Sequence, residues 1–181
     1  MRQGEPYLID RCEIDIPQPA EWEMEPAGVQ KKSGVTSRNN WIHWIKDEAT
    51  KNYFLSLAQT VNEKARWHFD IDTIEDLQYT VYNGGQEYGW HADQHNELYP
   101  DGRTRKISFT LLLSEGFSGG EFDIETKHPG YLDGYQQYRH ETLKLKMHDI
   151  VWFKSAYYHR VNPVISGTRI SLVGWILGKN A

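Results

Sequence analysis

The spacing of apolar positions divides the chain into an early helical stretch and a long series of short strands. Residues 48–67, EATKNYFLSLAQTVNEKARW, place Phe54, Leu57, Ala58, Val61 and Ala65 at the three- and four-residue intervals of one buried helix face, with no Gly or Pro to interrupt them. The helical pattern begins at Trp41. After Asp72 the period changes. LQYTVY at 77–82 is strand-like, and NGGQ at 83–86 is a turn signal. KISFTLLLS at 106–114 alternates through Ile107, Phe109, Leu111 and Leu113 with a nearly apolar opposite face, as in a strand buried on one side and partly on the other. Further strands are predicted at GGEFDIE, ETLKLKM, DIVWFKS, YHRVNPV and TRISLVGWIL. A helix followed by many short strands predicts a mainly β domain (a sandwich, jelly roll or barrel) with a helical layer outside.

Residues 1–36 carry Pro6, Pro17, Pro19 and Pro26 and predict extended or irregular structure. With no internal repeat and no interdomain linker, the 181 residues read as one domain. Residues 1–76 would form an irregular and helical N-terminal layer, and 77–178 the β core. Residues 127–141, KHPGYLDGYQQYRHE, predict a polar, tyrosine-rich loop, including Tyr131, Tyr135 and Tyr138, that helps admit and select a substrate.

Composition narrows the functions. A net charge of -5 argues against a nucleic-acid partner, since phosphate binding calls for clustered Lys and Arg. The single Cys12 excludes an internal disulfide framework and a thiolate metal cluster. No apolar run approaches the ~18 residues of a membrane span, and the N-terminus is no secretory signal. A cytoplasmic protein without a membrane partner is expected.

The chemistry starts in YGWHADQH at 88–95. On a strand, residues two apart share a face, so His91 and Asp93 could aim an imidazole and a carboxylate at one point. The candidate third ligand is His159 in AYYHRVNPV. Two imidazoles and one carboxylate make the triad of non-haem Fe(II) oxygenases, which leaves positions open on the metal; a closed four-ligand site would be structural. Ten residues further comes Arg169 in GTRISLVGW. Alternation puts Arg169, Ser171 and Val173 on one face, and Ile170, Leu172 and Gly174 on the other. A guanidinium on an apolar strand calls for an anion. An internal ion pair with one of the 25 acids, or an exposed edge position, would also satisfy it.

This ordered set resembles the Fe(II)/2-oxoglutarate-dependent dioxygenases, in particular the prolyl-4-hydroxylase-like branch. YNGGQEYGWHAD resembles the family's tyrosine-turn-tyrosine approach to His-x-Asp, RKISFTLLLSEGFSGGEF its Arg-x-x-Ser strand and Gly-Gly-Glu, and DIVWFKSAYYHRVNPVISGTRISLVGW its closing block. The likeness runs from about Leu77 to Leu177, and the segment 41–67 resembles small oxygenases of bacteria and their phages. The resemblance implies a double-stranded β-helix (jelly roll) core with N-terminal helices, and iron held by His91, Asp93 and His159. It also implies 2-oxoglutarate with its distal carboxylate on Arg169, Ser171 and Tyr82 hydrogen-bonding nearby, and O2, with ascorbate as a stimulant. Tyr79 is an alternative to Tyr82. The implied reaction is hydroxylation of an unactivated C–H bond, foremost of a prolyl residue in a peptide or protein. The alternatives are a free amino acid or small molecule as substrate, or a cupin-like module that binds a metal or ligand without turnover. Trp90, Trp152, Phe153 and Trp175 read as core or pocket wall, and Gly119 and Gly120 as a tight turn or close backbone approach. His95 and His148 read as surface or supporting residues. His148 stands where the family often has Gly before an acid, so the turn there is expected to differ.

Overall fold

The computed structural model describes residues 4–28, 38–126 and 140–179. The expected loop 127–141 lies outside them except for its last two residues, which open a strand. The strands are β1 (Tyr7–Arg11), β2 (Glu25–Pro26), β3 (Trp41–Ile45), β4 (Thr73–Ile74), β5 (Leu77–Tyr82), β6 (Tyr88–His91), β7 (Arg103–Leu112), β8 (Ser118–Gly119), β9 (Phe122–Glu125), β10 (His140–Leu143), β11 (Asp149–Lys154), β12 (His159–Val161), β13 (Val164–Ser166) and β14 (Arg169–Lys179). One α-helix, α1 (Glu48–Lys64), stands among them. The larger sheet runs β1-β11-β7-β14-β5-β3-β2, with β4 also paired to β14, and the smaller sheet runs β10-β9-β12-β6. All their pairings are antiparallel, as in a jelly roll.

One expectation is corrected. The helix starts at Glu48, not near Trp41: residues 41–45 form β3, whose β-branched and aromatic side chains suit a strand. Asp47 ends that strand's continuation and caps the helix, its carboxylate accepting from the Thr50 backbone N–H at 3.0 Å. Residues 4–28 are extended in part, as expected: β1 pairs with β11 at one edge of the larger sheet and β2 with β3 at the other.

Each face of the larger sheet has its own core. On the outer face Phe54, Ala58 and Val61 of α1 pack onto Ile107, Phe109, Leu111, Leu172 and Ile176. Phe54 stacks on Phe109 at 4.7 Å, and Gly174 makes room: a Cβ there would stand 2.2 Å from the Phe109 ring. On the inner face Phe122, Ile124, Val151, Phe153 and Val161 fill the space between the sheets. No helix of the described residues is long and apolar enough to cross a membrane.

Candidate active site

Strand register brings the candidate residues together. His159 of β12 is the direct cross-strand partner of His91 of β6, and their rings lie 4.2 Å apart. Asp93 sits just past the end of β6 rather than on it, so strand alternation is not what aims its side chain. Its backbone N–H donates to the Ser155 carbonyl at 3.0 Å, and the Ser155 hydroxyl is 2.8 Å from that of Ser108 on β7. This tether turns the carboxylate inward. Asp93 Oδ1 stands 3.5 Å from Nε2 of His91 and 3.5 Å from Nε2 of His159, and all three donor atoms lie within 4.8 Å of one another.

The electrostatics suit a cation. His91 Nδ1 lies 2.7 Å from the Gly89 carbonyl and His159 Nδ1 lies 3.1 Å from that of Tyr157, so each Nδ1 carries the proton and each Nε2 offers a lone pair. Burial pushes the His159 imidazole down to about 4, which keeps it neutral at physiological pH. Burial alone would raise the Asp93 carboxyl, but the two imidazoles when protonated and the more distant Arg105 outweigh it and hold it well below the usual carboxylate range. Asp93 Oδ2 is buried with no hydrogen-bond partner among the described residues. A buried carboxylate oxygen left unsatisfied beside two imidazole nitrogens is the donor set a divalent metal completes.

The triad opens into a cavity of about 500 Å³ between the two sheets, lined also by Trp44, Thr80, Tyr82, Arg105 and Trp175. Beside Thr80 and Tyr82 in the sheet stand their β14 partners Ser171 and Arg169, neither of which lines this cavity. Arg169 is 1% exposed. Its Nε donates to the Gly120 carbonyl at 2.9 Å and its Nη1 to Ser171 Oγ at 3.2 Å, with Tyr82 below its guanidinium at 5.6 Å. Ser171 Oγ in turn meets Thr80 Oγ1 at 2.5 Å. Among the described residues no carboxylate pairs with Arg169, so neither an internal ion pair nor an edge position accounts for it. Tyr82 lines the cavity, whereas Tyr79 is buried in the core beneath α1.

The surrounding residues fall into place. Gly120 has φ +65°, and a Cβ there would meet Arg169 Cδ at 2.9 Å; Gly119, at φ +71°, passes close to the Pro163 carbonyl. His148 adopts φ 74°, the left-handed conformation that glycine takes without strain. Trp152 and Phe153 are core, Trp175 is cavity wall, and Trp90 lies under Arg160 at 4.7 Å. Arg105 enters the sequence reading only as the first residue of the Arg-x-x-Ser strand, with no role assigned to it. Lys106 is an extra residue in the β7–β14 register, where Ile176 pairs with Ile107 and Leu177 with Arg105. This bulge turns Arg105 from the helix side to the cavity, onto the Trp175 ring at 3.9 Å and into a two-point ion pair with Glu75.

A family model described as the 2OG-Fe(II) oxygenase superfamily matches residues 77–177, more than half of the chain. The chain belongs to the 2OG-Fe(II) oxygenase superfamily. A PKHD-type hydroxylase of Hyphomonas neptunium is 40% identical to this oxygenase over 95 residues, covering 51% of the chain and 38% of that relative. The chain thus spans about two-fifths of the length of the first curated relatives it matches. The crystal structure of a Pseudomonas putida prolyl-4-hydroxylase superposes with a TM-score of 0.59 at 22% identity, covering 88% of this chain and 79% of that one. A Trichoplax adhaerens prolyl hydroxylase, solved with a hypoxia inducible factor oxygen degradation domain peptide fragment, gives a TM-score of 0.60 at 18% identity, covering 85% and 70%. These likenesses show the shared jelly-roll fold. The superfamily's cofactor is Fe(II) with 2-oxoglutarate and O2 as co-substrates, and the donor set at Asp93 fits that metal.

Proposed function

We propose that this oxygenase hydroxylates an unactivated C–H bond, with a prolyl residue of a peptide or protein as its substrate. The observation that carries the reading is the convergence of His91, Asp93 and His159 with Asp93 Oδ2 unsatisfied at the head of a cavity large enough for a second reactant. The prolyl substrate is supported by the prolyl hydroxylases that share the fold, one of them holding a peptide.

In this reading His91, Asp93 and His159 hold the iron. Bound there, Fe(II) supplies the redox chemistry by which 2-oxoglutarate is oxidised to succinate and CO2, one O2 oxygen passing to succinate and the other to the substrate as a hydroxyl. The chain's own residues bind and orient. Arg169 receives the distal carboxylate, a buried guanidinium being costly until an anion reaches it. Ser171 and Thr80 fix the orientation of that guanidinium through their hydroxyl pair, and Tyr82 borders the same end of the cavity. Burial pushes the Tyr82 phenol up, so it stays a neutral donor. The Gly89 and Tyr157 carbonyls keep both imidazoles in the ligating tautomer. Phe122, Phe153 and Val161 wall the site with apolar surface that excludes water from the reacting centre.

The test is succinate release from 2-oxoglutarate with added Fe(II) and ascorbate, paired with mass spectrometry of proline-containing peptides for the gain of one oxygen atom. Succinate formation stimulated by a peptide that gains oxygen is the expected result. No succinate under any condition would overturn the enzyme reading. Succinate without any oxidised peptide across a broad panel would overturn the prolyl substrate.

A further inference from the structure

We propose that Arg38 recognises a carboxylate on the primary substrate, an inference that rests on the oxygenase reading and adds a chemical requirement to it. Arg38 forms an isolated bridge with Tyr88, its guanidinium lies 4.4 Å over the Tyr88 ring, and that ring stacks on His91 at 3.6 Å. The cation therefore stands one ring away from the metal triad, on the wall of the same cavity.

What holds Arg38 is unusual for a surface-adjacent arginine. Its Nε donates to Asn40 Oδ1 at 2.9 Å and its Nη2 to Gln78 Oε1 at 2.8 Å, both of them neutral amides, and Asn40 and Gln78 are themselves buried. Two rigid neutral acceptors and an aromatic face fix the guanidinium without cancelling its charge. Among the described residues no carboxylate lies within ion-pair distance of it, and the adjoining segment 29–37, VQKKSGVTS, contains no acid. Arg105, the other guanidinium on the cavity, is by contrast already paired with Glu75.

The charges in the cavity point the same way. Among the described residues Asp93 is the one carboxylate that lines it, and in this reading it holds the metal. The co-substrate's distal carboxylate goes to Arg169, the strand neighbour of Tyr82. That leaves Arg38 without a carboxylate partner among the described residues, on the wall of the cavity that the primary substrate enters. A carboxylate could come from a free chain end or from an acidic side chain beside the oxidised residue; the two share the chemistry.

The experiment uses the full chain loaded with Mn(II) and N-oxalylglycine, an unreactive 2-oxoglutarate analogue, and reads binding by calorimetry. Two matched pairs serve as probes: N-acetyl-L-proline against N-acetyl-L-prolinamide, and acetyl-Asp-Pro-amide against acetyl-Asn-Pro-amide. The expected result is at least tenfold tighter binding of the acid in one pair, which also identifies the source of the carboxylate. Arg38→Gln should erase that preference, and Arg38→Lys should keep part of it, since an ammonium retains the charge but not the fork. No acid preference in either pair of the parent protein would overturn the proposal without recourse to a variant. So would a preference that survives Arg38→Gln in protein with parent-like melting, or a tenfold loss of N-oxalylglycine affinity in that variant, which would assign Arg38 to the co-substrate. Failure of N-oxalylglycine to bind the Mn(II)-loaded parent would instead sink the oxygenase reading itself.

Discussion

His159 faces His91 directly across the β6–β12 pair, so backbone hydrogen bonding sets the distance between the two imidazoles before any metal arrives. Asp93 is then the one charged member of the triad. Mn(II) at about a hundred times its dissociation constant should stabilise the parent by about 2.7 kcal/mol, raising the melting temperature by roughly 5–10 °C. Asp93→Ala should abolish that rise. A metal-dependent shift that persists in Asp93→Ala would show the ion binding elsewhere.

Arg169→Ala should weaken 2-oxoglutarate binding at least about thirtyfold, because a desolvated charge pair is worth roughly 2–5 kcal/mol. Arg169→Lys should recover only part, the Gly120 and Ser171 contacts being built for a fork. Tyr82→Phe should cost about 1 kcal/mol if its hydroxyl donates to the co-substrate. Titration of the metal-loaded protein with 2-oxoglutarate measures all three, and an unchanged affinity in Arg169→Ala would remove Arg169 from the site.

His148→Gly should stabilise the fold by about 1 kcal/mol, since a non-glycine residue in the left-handed region is strained by roughly 1–2 kcal/mol and glycine returns part of that as chain entropy. The substitution also removes a buried ring nitrogen, His148 Nδ1, that has no hydrogen-bond partner among the described residues. Urea denaturation reads the change; a lower midpoint would contradict it.

Gly174→Ala should destabilise by about 1–3 kcal/mol, because its methyl would enter the Phe109 ring that stacks under α1. Combining it with Phe109→Leu should lose less than the two single losses summed. Additive losses would mean that the ring and the glycine do not share that space.

Asp123 supplies a pH dependence. Burial alone would raise its carboxyl, but donors from Thr142, Asn162 and Arg160 outweigh it and hold it below the usual carboxylate range. A depressed folded-state value means the stabilisation is present above the unfolded carboxylate range, about 4, and is lost as pH falls through the folded value. Asp123→Asn should therefore melt lower than the parent at pH 7 and show a shallower fall in stability below about pH 4. Parallel acid limbs would rule the carboxylate out as a contributor.

Most of the β core and the set of candidate site residues could be read from alternation and order: β5, β7 and β14 turn alternate residues to the core under α1, and β11 is a continuous apolar run buried on both faces. What could not be read arose where local pattern and pairing part company. Residues 41–45 have spacing compatible with the helix that follows, and only their pairing with β5 makes them a strand. Arg105 has the parity of Ile107 and Phe109 and would be assigned to the helix side; the extra Lys106 in the register reverses it. Arg38 stands in a run of polar residues with no period at all, and its acceptors Asn40 and Gln78 become visible only once β3 and β5 are side by side. Asp93 was identified for a strand geometry it does not have; its placement depends on a hydrogen bond to Ser155, far along the chain.

Strand β14 presents Ile170, Leu172, Gly174 and Ile176 to the core under α1, and Arg169, Ser171, Val173 and Trp175 to the opposite face, where Val173 and Trp175 line the cavity. Sequence drift along it is therefore split by parity. Changes at the even positions are filtered by folding, whereas Val173 and Trp175 can vary in size and polarity while the helix packing stays intact. A lineage of such enzymes could acquire a new substrate by exchanging two side chains on one strand, and a library confined to residues 173 and 175 is the shortest laboratory route to the same end.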